Sequence, residues 1–182
     1  MAVSPILGKD IPYDGQQNVV TTIAEFLLAL ESAFTPGGTR WAASVYHNAN
    51  QSIPAAAWTT LAFNSESVDT AVMHDNSTNN SRITIKKAGV YVGFGVIPFA
   101  GSGAGSVRAG RAIQNGVAVV GNEQGPPVSG TINTVLVVPI PPSIYALNDY
   151  VQLQAYQDSG GSLNALYDAA NGYFCKLSLW AL

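Results

Sequence analysis

The chain has 182 residues, of which 10% are charged and 47% are hydrophobic, and its formal net charge is −3 at pH 7. Soluble domains usually carry about a quarter charged residues, so a chain this poor in charge is expected to hide part of its surface in an oligomer or a larger assembly. Its eight basic residues are scattered, which disfavours nucleic-acid binding, and no run of about 18 apolar residues is present to cross a membrane.

The first segment of the chain lacks the pattern of a secretory signal. Met1–Gly8 is short and runs directly into Lys9 and Asp10, whereas a signal peptide has a longer apolar region. The lone cysteine, Cys175, excludes an internal disulfide. Both features are compatible with synthesis in a reducing cytoplasm.

Residues 1–18 are predicted to form an extended, turn-rich arm, because proline and glycine interrupt them repeatedly. After this arm, apolar residues recur at spacings of four and three, which is typical of one face of a helix. The apolar stripe consists of Val19, Ile23, Phe26, Leu27, Leu30, Ala33 and Phe34. Pro36–Gly38 then ends the predicted helix and begins a linker.

A helix of about 15 residues is only marginally stable alone in water. Its stripe therefore has to pack against the rest of the chain, against copies of itself, or against another protein, and the sequence leaves these three alternatives open. Residues 1–38 are accordingly predicted to be an anchor or oligomerisation segment, and residues 39–182 a separate domain.

From Ala42 onward, short β-branched and aromatic runs are broken by Gly, Asn, Ser and Pro about every ten residues. Such punctuation predicts an all-β fold, here a jelly-roll sandwich. Strands are expected near residues 42–48, 57–64, 82–87, 89–99, 106–114, 116–123, 130–139, 149–157 and 172–181.

Four local signals refine this prediction. Asn115-Gly116 lies between two alternating runs and predicts a hairpin. Gly93 and Gly95 inside one strand indicate a bulge or a close approach to a neighbouring backbone. Pro139 is expected to end its strand, and residues 69–81 are polar enough to form an ordered surface loop.

Candidate chemical groups are few. Two histidines, His47 and His74, and one cysteine cannot form a zinc site of ordinary ligand spacing. No nucleophile motif accompanies His74-Asp75, so His74 is interpreted as a hydrogen-bonded loop residue and Cys175 as a small core residue. The dispersed aspartates are Asp75, Asp149, Asp158 and Asp168. We predict no enzymatic activity, metal or cofactor, with calcium between loops as an alternative.

Four segments of the β domain occur in an order that carries a resemblance. They are Ala88–Tyr91, Asn115–Gly116, Asn148–Leu153 and Gly172–Leu177. In this order they resemble a strand start, an Asn-Gly hairpin, an inner strand and the closing strand of the jelly-roll domains of tumour necrosis factor and complement recognition proteins. The sequence departs from that family at Asn148 and Cys175, where the family has glycine.

A closer resemblance is to versions of this domain in bacteriophage virion proteins. It rests on four segments that mix polar and aromatic residues: Tyr46–Pro54, Trp58–Phe63, Asp69–Asn79 and Tyr156–Asn164. Residues 1–40 lie outside this resemblance.

The resemblance implies a homotrimer with its sheets packed around a threefold axis. It also implies Tyr173, in the predicted closing strand, as the candidate residue near that axis, with an ordinary packing role as the alternative. The implied function is a virion structural protein, either a capsid decoration protein or a head-fibre protein, made in the host bacterial cytoplasm. Residues 1–38 would bind it non-covalently to the major capsid protein or to another virion protein.

An alternative function is the receptor-binding tip of a tail or head fibre. In that role exposed aromatic side chains, with Trp58, Tyr145 and Tyr167 as candidates, would stack on a host surface glycan, although an ordinary packing role is the favoured alternative for each.

Overall fold

The computed structural model describes residues 41–128 and 130–182. The chain separates into two units, residues 1–39 and 40–182, and the described residues belong to the second. The predicted arm, the predicted helix and its stripe lie outside the described residues.

The described residues form twelve strands and no helix. The strands are β1 (Ala42–Tyr46), β2 (Gln51–Ile53), β3 (Thr59–Thr60), β4 (Ser65–Asp69), β5 (Arg82–Thr84), β6 (Gly89–Phe99), β7 (Arg108–Gln114), β8 (Ala118–Gly125), β9 (Thr134–Tyr145), β10 (Tyr150–Gln157), β11 (Leu163–Ala165) and β12 (Lys176–Ala181). The prediction of an all-β domain is thereby confirmed.

The strands form two antiparallel sheets that pack face to face. The seven-stranded sheet has the order β2-β11-β6-β12-β1-β4, and β9 also pairs with β6. The five-stranded sheet has the order β3-β10-β7-β8, and β5 also pairs with β10. Neighbouring strands in each sheet are often far apart in sequence, as in a jelly roll.

The core lies between the two sheets because the strands alternate in polarity. In β10 every second residue is buried, namely Val151, Leu153 and Ala155, and the residues between them point outward. The sheets approach closely at Gly95, where a Cβ atom would lie 2.5 Å from the Leu153 side chain. At Gly93 a Cβ atom would collide with the backbone oxygen of Ser178, so the predicted close approach is confirmed.

Strand β9 corrects the prediction that Pro139 ends its strand. The strand continues to Tyr145, and Pro139 is paired with Phe94. Among the described strands β9 pairs only with β6, which makes it an edge strand. A proline is tolerated there because its nitrogen can face away from the ladder.

Sequence reasoning missed three short strands, β2, β4 and β11, and predicted some other strands to be longer than they are. Between residues 57 and 64 only Thr59–Thr60 is a strand, and the closing strand begins at Lys176 instead of residue 172. The short strands lie at sheet margins, where few residues alternate and turn residues interrupt the pattern.

The predicted turns have the expected backbone. Asn115 and Gly116 have φ angles of 54° and 74°, which is the conformation of a two-residue hairpin turn. Asn148, which stands where the resembling family has glycine, has φ of 70°, and asparagine tolerates this left-handed region better than most residues. The replacement therefore preserves the turn.

Candidate functional site

The described residues contain no group of three or more His, Cys, Asp or Glu side chains that could hold a metal ion. Nor does any helix among them have the length and apolarity to span a membrane.

His74 is a buried loop residue with both ring nitrogens engaged. Its Nδ1 lies 2.9 Å from Oε1 of Glu66, and its Nε2 lies 3.1 Å from the carbonyl oxygen of Asn80. The prediction of a hydrogen-bonded loop histidine is confirmed, although the carboxylate partner is Glu66 and not the adjacent Asp75. Asp75 instead accepts N–H bonds from Ser77 and Thr78, which lower its pKa to about 2.

Cys175 is buried next to the start of β12, and burial raises the pKa of its thiol to about 12. The thiol therefore stays protonated and unreactive at neutral pH. This confirms its interpretation as a small core residue.

Arg108 is fully buried and holds the loop before β7. Its Nη2 donates to the carbonyl oxygens of Ser102 and Ala104, at 3.0 and 2.9 Å, and its Nη1 lies 3.6 Å from Oδ1 of Asp158. Asp158 in turn accepts bonds from Ser106 Oγ at 2.6 Å and from the N–H group of Val107 at 2.9 Å. These bonds lower the pKa of Asp158 to about 2. The arrangement fastens a loop, and Nε of Arg108 is buried without a hydrogen-bond partner among the described residues.

The outward side of the seven-stranded sheet is the first candidate surface, and we call it the apolar face. Its members are Ala42, Val68, Val90, Val92, Phe94, Val96, Val135, Val137, Pro139 and Trp180. Strand register brings these side chains together, since Phe94 pairs with Pro139, Val96 with Val137 and Val92 with Trp180.

The apolar face is exposed and has few polar groups. Val137 is 55% exposed, and Phe94 contacts Trp180 edge to face with ring centroids 6.0 Å apart. The hydroxyls of Ser44 and Ser178, which also point outward, hydrogen-bond to each other at 2.8 Å. Covering this face with another apolar surface would leave these two hydroxyls satisfied.

The outward side of the five-stranded sheet is the second candidate surface, and we call it the aromatic–amide face. Its members are Trp58, Thr60, Arg82, Arg111, Tyr150, Gln152, Gln154 and Tyr156. The strands order them in rows, because Gln154 pairs with Thr60 on one side and Arg111 on the other, and Gln152 pairs with Arg82.

Two guanidinium groups lie against aromatic rings of this face. The Arg111 guanidinium is 4.1 Å from the Trp58 ring centroid, and the Arg82 guanidinium is 4.7 Å from that of Tyr150. Trp58 also packs against Tyr156 with ring centroids 5.3 Å apart. These distances are within the range of favourable cation–π and aromatic contacts.

A chain of hydrogen bonds fixes the centre of the same face. Nε of Arg111 donates to Oε1 of Gln154 at 2.9 Å, and Nε2 of Gln154 donates to Oγ1 of Thr60 at 3.0 Å. Both bonds hold side chains of neighbouring strands in one arrangement before any ligand arrives.

The aromatic residues singled out from the sequence have different placements. Trp58 is 39% exposed on the aromatic–amide face, and Tyr167 is half-buried against Phe174. Tyr145 is fully buried, edge to face with Tyr91, so it packs in the core and is not one of the exposed aromatic residues. It is the last residue of β9, and it points inward because a bulge in the pairing with β6 moves the inward positions from even to odd residue numbers.

Tyr173 lies in front of β12, where its backbone exchanges two hydrogen bonds with Asp168 at 2.8 and 2.9 Å. It is therefore not in the closing strand from which its role was inferred. Its approach to a threefold axis stays a prediction, and the anchor stripe Val19–Phe34 lies outside the described residues.

Sequence reasoning missed Arg111 and Arg82 because each is a single basic residue far from the other in sequence. It also missed the outward stripe of β9. A signal for that stripe was present, since Val135, Val137 and Pro139 alternate with buried residues in one continuous apolar run. Such a run is typical of a strand that is covered on both faces.

No protein-family model matches this sequence, and no curated protein matches it. Solved structures do resemble it. Murine APRIL, from a crystal structure at pH 5.0, has a TM-score of 0.58 at 8% identity, covering 79% of this chain and 99% of that chain. An Eiger TNF from S. frugiperda has a TM-score of 0.54 at 11% identity, covering 79% and 93%.

The globular domain of zebrafish complement 1qA protein has a TM-score of 0.47 at 16% identity and covers 78% of this chain and 96% of its own. At identities of 8% and 11% the similarity to APRIL and Eiger concerns the fold alone. The described domain therefore has the jelly-roll fold of tumour necrosis factor-like proteins.

Proposed function

We propose that this chain is a structural protein of a bacteriophage virion. It assembles as a homotrimer through the apolar face and attaches to the shell non-covalently through residues 1–38. It has no enzymatic role. The observation that carries the homotrimer is the apolar face, an exposed sheet surface with paired valine, proline and aromatic side chains. The virion role is supported by the resemblance of residues 46–54, 58–63, 69–79 and 156–164 to domains of bacteriophage virion proteins.

A second copy of the chain is the occupant that suits this face. Standard stable interfaces bury about 800 Å² on each partner, and each buried Å² of apolar surface contributes roughly 25 cal/mol. The ten residues of the apolar face span five strands and would form the apolar centre of such an interface. A closed ring of copies covers every apolar face and leaves no open end for further growth.

The low charge content supports the same assembly. Only 10% of the residues are charged, and oligomer interfaces are depleted of charge at their centres. The resemblance to trimeric jelly-roll domains favours three copies over two.

Residues 1–38 are the proposed attachment segment. Three such segments on one trimer would bind three equivalent positions of a shell, so that each contact can be weak while the trimer is held firmly. The partner is the major capsid protein or another virion protein, and the location is the virion surface.

A receptor-binding tip of a tail or head fibre is the second candidate function. The observation that favours it is the aromatic–amide face, which lies on the other sheet and is left uncovered when the apolar face is buried. Trp58 with its 39% exposure supports this candidate, whereas the buried Tyr145 does not.

Two experiments test the proposal. Light scattering on the purified chain is expected to give roughly 57 kDa, three times the 19.0 kDa of one chain. A monomer at micromolar concentration would contradict the trimer.

Co-sedimentation with particles that lack the native copy then tests the attachment. The full chain is expected to bind, and a chain beginning at residue 39 is expected to stay trimeric without binding. Imaging labelled protein on intact particles separates the candidates, because decoration of the whole shell supports the first and label confined to the tail supports the second.

A further inference from the structure

We propose that the aromatic–amide face binds an acidic saccharide, a carbohydrate chain whose sugars carry carboxylate or sulfate groups. This inference deepens the second candidate function by naming the class of glycan, and it is independent of the trimer and of shell attachment, since the apolar face and the aromatic–amide face belong to different sheets.

The first step is the charge of the face. Within residues 41–128 and 130–182 neither Arg82 nor Arg111 forms an ion pair, because the ion pairs found there are those of His74 and Arg108. No carboxylate belongs to the outward rows of β3, β5, β7 and β10. Two half-buried cations without a counter-ion complement an anionic ligand.

The second step is the spacing of the two cations. Arg82 is opposite Gln152 and Arg111 is opposite Gln154, on the two sides of β10. With strands about 4.8 Å apart and two residues advancing about 6.8 Å along a strand, the two backbone positions are separated by roughly 12 Å. The charged groups lie further apart than the backbone positions, because Arg82 stacks on Tyr150 and Arg111 stacks on Trp58, next to Tyr156 at the other end of β10. An extended acidic chain of several sugar units is therefore needed to reach both arginines.

The third step is the apolar platform. One side of a sugar ring carries mainly C–H groups, which pack favourably on the electron-rich face or edge of an aromatic ring. Trp58 is 39% exposed and has Tyr156 at its side. Arg111 stacks on the same indole, so a sugar that contacts Trp58 has a guanidinium next to it.

The fourth step is the supply of fixed hydrogen-bonding groups. Arg111 uses Nε to bind Gln154, which leaves the two Nη groups as a fork for a carboxylate or sulfate. Gln152 is likewise held, by a 3.1 Å bond from its Nε2 to Ser81 Oγ. Planar groups held in place before binding lose little entropy when they engage sugar hydroxyls.

Other partners fit this face less well. A nucleic acid needs many cations along its phosphates, whereas this face has two and the chain has a net charge of −3. A protein partner needs a buried apolar centre, and here the centre is the hydrogen-bonded row of Gln154, Thr60 and Arg111.

Calorimetry on the full-length chain tests the proposal with three acidic probes: hexamers of galacturonate, of mannuronate and of a sulfated galactan. Maltohexaose serves as the neutral sugar of equal length, and hexaglutamate as an anion without sugar rings. We expect at least one acidic hexamer to bind at least about ten-fold more tightly than either control. Equal binding of maltohexaose or hexaglutamate, or no binding of any acidic hexamer, overturns the proposal.

Variants locate the binding site. Arg111→Gln and Trp58→Ala are each expected to weaken binding about ten-fold, which corresponds to about 1.4 kcal/mol, and Arg111→Lys weakens it too because the planar fork is lost. Trp58→Phe keeps an aromatic ring and is expected to bind within a few-fold of wild type. It therefore tests the role of the ring even if the Trp58→Ala chain does not fold. Lys86→Gln removes a charge from an exposed turn outside the face and should leave affinity unchanged.

Fluorescence provides a second measurement. The chain has three tryptophans, and only Trp58 belongs to this face. Saturating acidic hexamer is expected to change the emission of the wild type but not that of Trp58→Phe. An unchanged wild-type signal, or binding that survives in both Arg111→Gln and Trp58→Ala, places the saccharide elsewhere and overturns the proposal.

Discussion

The outward faces of the two sheets contrast sharply although the sheets share one core. Both sheets alternate residue by residue, and Leu153 of one sheet packs against Gly95 of the other. Outside the core, one sheet presents valine, proline and aromatic side chains, and the other presents glutamine, arginine and partly exposed aromatic rings. The fold needs only the inward half of each strand, so the outward halves are free to carry different interactions.

The contrast also concerns polar groups. On the apolar face the two outward serines satisfy each other, so an apolar partner can cover both hydroxyls, and the outward Lys176, beside Val96 and Tyr46, can extend its long side chain to the edge of the contact. Within residues 41–128 and 130–182 the two arginines of the aromatic–amide face form no ion pair, so an apolar partner would have to bury their charge at high free-energy cost. The first face thus suits permanent burial and the second suits a hydrated, charged ligand.

Placing a new negative charge on one face gives the largest expected effect. Val137→Asp puts a carboxylate on the apolar face, and every copy in the trimer would bury it without a partner. Because Val137 is 55% exposed in the single chain, the domain itself should still fold. Light scattering is expected to show a monomer at micromolar concentration.

Thr60→Asp is the matched control for that variant, because it places the same charge on the aromatic–amide face. Aspartate can still accept the bond from Gln154, so this variant is expected to stay trimeric and to lose affinity for acidic saccharides by repulsion. A Val137→Asp chain that remained trimeric would show that the apolar face is not the interface.

The spacing between the sheets is the next feature to perturb. Gly95→Ala places a methyl group 2.5 Å from the Leu153 side chain, and such overpacking typically costs 1–3 kcal/mol, so we expect a loss of about 2 kcal/mol. Denaturant unfolding measures it. Gly161→Ala is the control, since no atom lies within 4 Å of a Cβ atom there, and an equal loss at both glycines would contradict the packing argument.

The inward half of the fold was predictable from the sequence because it follows simple rules. Alternation predicted β6, β7 and β10 nearly to the residue, and the Asn115-Gly116 hairpin has the expected positive φ angles. The three-residue strands β2 and β11 were missed because so few residues carry no measurable period, and the five-residue β4 was missed because its polar sequence Ser65–Asp69 has no alternation of buried and exposed residues. Pro139 misled the prediction because the exception for edge strands depends on pairing that the sequence does not display.

The two surfaces were harder to predict than the core. Arg82 and Arg111 become neighbours only because β10 lies between β5 and β7, and this order is set by long-range pairing. Tyr145 could not be placed from the sequence, because the predicted strand ended at Pro139 and the observed strand continues to Tyr145. Composition predicts a hidden surface, and the outward residues of the seven-stranded sheet are the candidate for it.

The Arg108–Asp158 loop at the end of the five-stranded sheet gives a pH dependence. Hydrogen bonds from Ser106 and Val107 lower the pKa of Asp158 to about 2, below its ordinary value of 3.8. A lowered folded-state pKa means that the ionised carboxylate stabilises the fold fully above about pH 4, and that this contribution is lost as the pH falls toward 2.

Thermal unfolding of wild type and Asp158→Asn between pH 2 and pH 6 checks this expectation. The variant should melt below wild type at pH 6, and the difference in Tm should shrink as the pH approaches 2, because wild-type Asp158 is then protonated as well. A difference that stayed constant over the whole range would show that Asp158 stabilises the loop by packing and not by its charge.

The smallest expected effect concerns a loop that belongs to neither face. Val72 is 77% exposed and has φ of 53°, a left-handed conformation that costs an ordinary L-residue about 1–2 kcal/mol. Asparagine tolerates this conformation better, so Val72→Asn is expected to raise the free energy of unfolding by about 0.5–1 kcal/mol, with a rise in Tm of about 1–4 °C.

Val117→Asn is the matched control, because Val117 is 85% exposed and is not among the described residues with positive φ. For this control the change in the free energy of unfolding should stay within about 0.5 kcal/mol. Since Val72 touches neither surface, its variant should keep wild-type mass and saccharide affinity, and a change in either would show that the 70–81 loop contributes to a face after all.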